Sequence, residues 1–380
     1  MGSRRSRRKI FILCSTLVTG GAEMVIKALA TGMSRYGHDV EVICLRLPGH
    51  VGQQLIDAGV TLRSGVARGR FDLSSFAKLK RIFSVGDDPV LIVLDHHDAI
   101  LLGATASQMA GIRSRILSVH STGLWGKKGT FSFTDRLVLR MFDRFVALAP
   151  PHARFLEKDG RIPPEKIILV PNGIDTDRFS PPVSIDHKKE LRRQYSIPEN
   201  DFVVTIVAAL RPEKNHDMFI DVADKLLRSH DDFTFLIAGD GVEAGKLHEI
   251  VKKTAKPDRI RFMGVRDDID RIFALSDAAT LCSYPVVETF PLTVLEAMSS
   301  GLAVVSTDVG SIAEMFLDGE EGMLVPSGDS ILMADTLLRL KSDPALLAGI
   351  GKMARKRVLR DYSEENMIRG YSELVEGLGR

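Results

Sequence analysis

Two glutamates frame a proline in the string Glu288-Thr289-Phe290-Pro291-Leu292-Thr293-Val294-Leu295-Glu296. Proline is tolerated in the first turn of a helix, where its missing N–H is no loss. The backbone N–H groups of Leu292 and Thr293 are then left free at a helix N-terminus, a place that attracts phosphate. Glu288 lies just before that helix and Glu296 inside it. One carboxylate can reach a sugar while the other accepts hydrogen bonds from ribose hydroxyls. Taken alone, the spacing also suits a surface loop and an ordinary amphipathic helix, so other motifs must be weighed with it.

Several of these sit where a strand should end. Thr19-Gly20-Gly21-Ala22-Glu23 follows a first strand and opens a helix. Its glycines let backbone approach a diphosphate closely, although it is not the G-x-G-x-x-G dinucleotide fingerprint. Ser118-Val119-His120 ends a strand on a histidine, and Asp95-His96-His97-Asp98 follows another. The second pair could bind a metal by composition, but adjacent histidines on a strand point to opposite faces and chelate poorly. Ala238-Gly239-Asp240-Gly241 ends another strand, and the following Gly245-Lys246 tempts a P-loop reading, which the wrong spacing and Leu247 in place of Ser or Thr exclude. Asp175-Thr176-Asp177 spells a metal-binding D-x-D, yet its place after Pro171-Asn172-Gly173 makes it a turn or cap.

The elements that position these residues alternate throughout. Short β-branched runs are expected as strands at Lys9–Leu13, Asp39–Leu45, Val90–Leu94, Ser114–Val119, Arg144–Leu148 and Ile167–Val170. The pattern restarts at Phe202–Ala208, Phe233–Ala238, Ile260–Met263, Ala278–Leu281 and Ala303–Ser306. Near-continuous apolar strands separated by helical patterns predict parallel, doubly wound sheets with helices on both faces. The proline-rich, polar stretch Ser180–Lys189 is the expected linker. Ligands of such sheets bind beyond the carboxyl ends of the strands.

These strings together resemble a family-4 retaining glycosyltransferase of the GT-B fold, over nearly the full length and most densely from Val170 to Pro326. The resemblance implies two Rossmann-like domains facing across a crevice: residues 1–182 on the acceptor side and 183–360 on the nucleotide-sugar side. A C-terminal helix, 361–380, would cross back to the first. In the family the first glutamate of the E-x7-E element contacts the transferred sugar, which implies Glu288. The second binds the nucleotide ribose, which implies Glu296. His120 is implied near the sugar, and Lys214, in Arg211-Pro212-Glu213-Lys214, at the departing diphosphate. The usual arginine position is Ala209, a departure from the family pattern that leaves Arg211 as a candidate substitute. Gly20, Gly21, Gly239, Val265, Arg266, Phe290, Leu292 and Thr293 complete the implied donor site. His96, His97 and Asn172 are acceptor-side candidates. His120, Glu288 and Lys214 are the catalytic candidates.

No metal and no cofactor are expected, because helix N–H groups and cations would do the work of an ion. The expected partners are a nucleotide-diphosphate sugar and a hydroxyl acceptor, a glycan, lipid or small molecule. The family uses UDP-, GDP- and ADP-linked donors and reads the base largely through backbone, so the side chains leave the base open. Two rival readings are a nucleotide-sugar epimerase on the same fold and a catalytically silent sugar-nucleotide-binding subunit, the latter supported by Ala209.

Bulk properties agree. With 51 Lys and Arg against 49 Asp and Glu, no overall field argues for nucleic acid. The 3 cysteines are far apart, which suits reduced thiols in a cytoplasmic protein. The basic N-terminus before Ile10–Leu13 reads as the approach to a buried strand rather than a secretory signal. No apolar run approaches the ~18 residues needed to span a membrane. Lys127, Lys128, Arg136, Arg140 and Arg144 accompany Leu124, Trp125, Phe131, Phe133 and Leu137. They read as a solvated face over a core helix, with docking on the inner face of an anionic membrane as the second reading.

Overall fold

A computed structural model describes residues 7–18, 20–67, 73–94, 97–120, 131–285 and 288–378, with backbone only at Leu73 and His97. The chain divides into two compact units, Met1–Gly173 with Glu364–Arg380, and Ile174–Ser363.

The first unit holds strands β1 (Lys9–Cys14), β2 (Asp39–Cys44), β3 (Thr61–Arg63), β4 (Val90–Leu94), β5 (Ser114–Ser118), β6 (Arg144–Ala147) and β7 (Ile167–Leu169). They form one parallel sheet in the order β3-β2-β1-β4-β5-β6-β7. Ile12 sits opposite Val42 on one side and Ile92 on the other, so the apolar residues of the central strands lie in register. Helices cover both faces, and Phe11, Leu13, Leu91, Val93, Leu117 and Phe145 are among the residues buried beneath them.

The second unit repeats the plan with β8 (Phe202–Val207), β9 (Phe233–Ala238), β10 (Ile260–Gly264), β11 (Ala278–Leu281), β12 (Ala303–Thr307) and β13 (Met323–Val325). The order is β10-β9-β8-β11-β12-β13, again parallel. In each sheet the strand order reverses once, between β1 and β4 and between β8 and β11. At that switch point the loops leaving the two strands run in opposite directions and open a crevice above the sheet.

The unit boundary falls at Ile174, ahead of the expected 182, because residues 174–179 are bonded into the second unit. The Ile174 N–H donates to the Tyr362 carbonyl at 3.1 Å, and Ser299 Oγ donates to the Phe179 carbonyl at 2.6 Å. The expected linker is also partly helical. Ser184 accepts from the His187 N–H at 3.1 Å and caps the helix Ile185–Gln194. On its inner face the buried Arg192 donates to the carbonyls of Leu275, Glu199 and Asp201 and pairs with Asp277. The last helix, Glu364–Gly377, belongs to the first unit, starting three residues after the expected 361. Its Ile368 side chain packs on Gly32, and the buried Arg8 donates to the Val375 carbonyl at 2.8 Å.

Candidate active site

The second unit assembles a charged constellation at its switch point. After β8 the chain makes a short 3-10 turn, Pro212–Lys214, and after β11 it runs through Cys282, Ser283 and Tyr284. The Tyr284 N–H donates to the Glu213 carbonyl at 2.9 Å and ties the two loops together. The tie brings Lys214 Nζ onto Glu288 Oε1, an ion pair between residues 74 positions apart. Ser283 Oγ donates to the same oxygen at 2.6 Å. The Glu288 side chain is 5% exposed and that of Lys214 21%, so the ammonium lies at the mouth and the carboxylate beneath.

Gly310 holds Glu288 from behind. It has φ +61, and a Cβ there would stand 1.6 Å from the Glu288 carbonyl oxygen. Gly239 serves similarly beside β8: with φ +145, a Cβ would meet the Ala208 carbonyl oxygen at 2.0 Å. Only glycine lets these loops lie this close.

Pro291 is the N-cap of the helix Leu292–Ser299, and no side chain caps that end. Among the described residues its first-turn N–H groups thus have no side-chain cap, the setting in which a helix N-terminus can accept an anion. Leu292 and Thr293 are half-buried there. The Phe290 side chain is buried edge-on against Tyr362, centroids 5.3 Å apart, so what Phe290 can offer a ligand is its backbone.

Glu296 lies one helical turn further on. Burial pushes its carboxyl up to about 7, with nearby Arg178 opposing and Asp270 adding to the shift. Arg178 is a neighbour that the sequence did not reveal. It donates to the Asp267 carbonyl at 2.6 Å and pairs with Asp270 at 3.3 Å. Val265 is 65% exposed, and Arg266 pairs with Asp268 at 2.6 Å, holding that carboxyl at about 2. Arg211 is exposed at the start of the 3-10 turn. Asp175 accepts from the N–H groups of Asp177 and Arg178 at 3.1 and 2.9 Å, the turn role expected of the D-x-D string. Among the described residues no group of three His, Cys, Asp or Glu side chains is disposed to hold a metal ion.

The first unit presents a different set. Gly20 is the extended N-cap of the helix Gly21–Arg35, and the Glu23 carboxylate folds back over it. His120, half-buried, lies two residues past β5, with Nε2 at 3.0 Å from Ser118 Oγ. Asn172 is buried. His97 begins the helix His97–Met109, and His96 lies outside the described residues. His152, buried in the helix Pro150–Lys158, accepts from the Leu148 N–H at 3.2 Å through Nδ1. Burial, reinforced by His120, lowers its pKa to about 3.

Two parallel-sheet Rossmann-like units of this kind define the GT-B class of glycosyltransferase fold. Anabaena Alr3699/HepE, solved with UDP-glucose, superposes with a TM-score of 0.84 at 21% identity, covering 97% of this chain and 99% of that one. The structure of TarM gives 0.77 at 13% identity, covering 97% and 99%. The sequence model for Glycosyltransferase Family 4 matches residues 19–178, and that for Glycosyl transferases group 1 matches residues 187–357. N-acetyl-alpha-D-glucosaminyl L-malate synthase of Bacillus anthracis is 26% identical over 376 residues, covering 96% of each chain. Phosphatidyl-myo-inositol mannosyltransferase of Mycolicibacterium smegmatis is 28% identical, covering 95% of this chain and 92% of that one. The chain belongs to the family-4, group 1 glycosyltransferases and is an enzyme of sugar transfer.

Proposed function

We propose that this glycosyltransferase moves a hexose-type sugar from a nucleotide-diphosphate sugar to a hydroxyl acceptor, with retention at the anomeric carbon and without a metal ion. The observation that carries the reading is the Lys214–Glu288 ion pair beside an uncapped helix N-terminus. A diphosphate needs fixed positive charge, which the Lys214 ammonium and the first-turn N–H groups of Leu292 and Thr293 supply. Exposed Arg211 is a second cation on the same loop. Glu288 orients the sugar, Glu296 holds the ribose, and backbone at Val265 and Arg266 meets the base. His120 of the first unit is assigned to the sugar hydroxyls. Gly20, Gly21 and Gly239 allow close backbone approach. His96, His97 and Asn172 are assigned to the acceptor side.

In this scheme the acceptor oxygen bonds to the anomeric carbon on the face from which the diphosphate departs. The carbon–oxygen bond to the diphosphate breaks, and the acceptor's proton passes to the leaving phosphate. Lys214 offsets the charge that grows on that phosphate, an effect worth most in a site shielded from water.

The structures of HepE with UDP and with UDP-glucose support a nucleotide-sugar donor. A relative from Escherichia coli, 26% identical over 69% of this chain, is named for a diphosphoundecaprenol-linked acceptor, which supports a lipid-linked one here. The surface helix Phe133–Leu139 fits that acceptor: Phe133 is 74% exposed and Leu137 45%, beside exposed Arg140 and Arg161. They line a cavity of about 350 Å³, apolar with a basic rim, that suits peripheral contact with an anionic membrane from the cytoplasmic side. Three free, buried cysteines suit that reducing compartment.

Transfer from an anomerically defined UDP-sugar in excess chelator, with the product read by NMR, tests the proposal. Retention is expected. Inversion, or activity that returns only with added divalent metal, contradicts it. An epimerase would instead release a rearranged sugar when acceptor is omitted.

A further inference from the structure

The Ser118 hydroxyl stands between two groups of the first unit. Tyr371 Oη, from the last helix, is 2.6 Å away on one side, and His120 Nε2 is 3.0 Å away on the other. Ser118 is fully buried and Tyr371 is 1% exposed. These three groups form a short chain whose polarity can be worked out.

A serine hydroxyl donates one hydrogen bond and accepts up to two. Tyr371 is the buried end of the chain, and among the described residues Ser118 is the one hydrogen-bond partner of its hydroxyl. Burial raises the phenol's pKa, so it keeps its hydrogen. A buried O–H left without an acceptor is strongly disfavoured, so Tyr371 donates to Ser118. Among the described residues, His120 Nε2 is then the remaining acceptor for the hydrogen of Ser118. In a neutral imidazole one nitrogen accepts and the other carries the proton.

We infer that Tyr371, acting through Ser118, is a positioning residue that holds His120 as the neutral tautomer protonated on Nδ1. The inference rests on the reading of His120 as a sugar-facing residue, because that role makes its donor nitrogen matter. A histidine fixed in this way is a hydrogen-bond donor to a hydroxyl oxygen. The opposite polarity would present a lone pair instead. His152 and Tyr371, two titratable side chains coupled to His120, are themselves neutral, and His152 has the complementary tautomer because its Nδ1 accepts from the Leu148 N–H. The last helix thereby contributes to the site as well as to the core, since Arg8, Gly32 and Val170 pack against it and hold Tyr371 in place.

Nitrogen-15 NMR of the full chain labelled on histidine rings tests this, with His120 assigned by its loss in His120→Gln. The wild-type ring should show a protonated Nδ1 and an unprotonated Nε2 at neutral pH. Tyr371→Phe keeps the buried ring but removes the terminal donor, so both nitrogens should move toward averaged values. Ser118→Ala should do the same and serves if Tyr371→Phe fails to fold. In both variants turnover should fall roughly three- to tenfold with little change in donor KM, the size of one net hydrogen bond. A wild-type proton on Nε2, or an unchanged tautomer in the variants, overturns the inference. Full transfer activity in His120→Ala would instead remove His120 from the sugar site while leaving the tautomer result standing.

Discussion

The two units share a sheet plan but arm it differently. Beyond β8 and β11 the second unit places an ammonium on a carboxylate, and near them a further carboxyl, Glu296, whose proton burial retains up to about pH 7. Around the end of β5 the first unit places hydrogen-bonding groups: Ser118, His120, Tyr371 from the last helix, and His152, whose pKa burial lowers to about 3. A diphosphate is met by fixed charge, whereas sugar and acceptor hydroxyls need hydrogen bonds of set direction. The same topology thus offers two chemistries because the loops, not the sheets, carry them.

The charged half should be the more fragile in activity. Glu288→Ala is expected to lower the turnover number by about 10²–10³, the loss typical for one preorganised electrostatic group. Lys214→Ala should do likewise. The double variant should lose far less than the product of the two, because they act as a pair. Steady-state rates at saturating donor, with melting curves as a control for folding, check this. Equal losses in His120→Ala and Glu288→Ala would erase the contrast between the units.

Next in size is a backbone effect. Gly310→Ala forces a methyl toward the Glu288 carbonyl at a positive φ, and should cost roughly 2–4 kcal/mol in urea unfolding. A loss under about 0.5 kcal/mol would show that the loop relaxes away.

The pH dependence has opposite signs for the buried carboxyl of Glu296 and for the buried histidines. Glu296 keeps its proton in the folded chain up to about pH 7, while in the unfolded chain it would lose it near 4.5. Its contribution to stability therefore falls as pH rises from 4.5 to 7. Glu296→Gln should gain on the wild type across that window, by roughly 1–3 kcal/mol at its upper end. His152 behaves oppositely. Its folded pKa of about 3 lies below the usual 6.5, so the stability it supports is full above pH 6.5 and is lost as pH falls toward 3. His216 in the second unit, lowered to about 4 by burial and by Lys214, follows the same direction as His152. Comparing Tm of Glu296→Gln and wild type at pH 5 and pH 8 reads the Glu296 contribution alone.

The smallest effect concerns the proposed base contact. Val265 is exposed, so Val265→Ser should leave stability within about 0.5 kcal/mol and nucleotide affinity nearly unchanged if backbone does the reading. A large loss of affinity would transfer that role to the side chain.

Much of this is legible in the chain itself. Val90–Leu94, Phe233–Ala238 and Ala278–Leu281 lie where their apolar runs place them, because strands buried on both faces carry a strong local signal. Short, exposed β3 and the edge strand β13 carry a weaker one and escape the pattern. The helix Ile185–Gln194 is hidden because prolines and polar residues resemble a linker, and its anchor is a buried arginine. Glu288, Glu296 and Lys214 stand out by motif. Ser283, Arg178, Gly310 and Tyr371 do not, since each acts on a residue chosen by the fold: Tyr371 meets Ser118 across 253 positions. Phe290 shows the converse, a motif residue whose side chain serves packing.

The central claim is that Lys214 and helix amides bind the donor's diphosphate unaided by an ion. Calorimetric titration of UDP, GDP and ADP into the wild type and Lys214→Met, in excess chelator, tests it most directly. The account predicts that one nucleotide binds the wild type selectively with chelator present and at least tenfold more weakly in Lys214→Met. Binding that vanishes with chelator, or is equal in the two proteins, would contradict it.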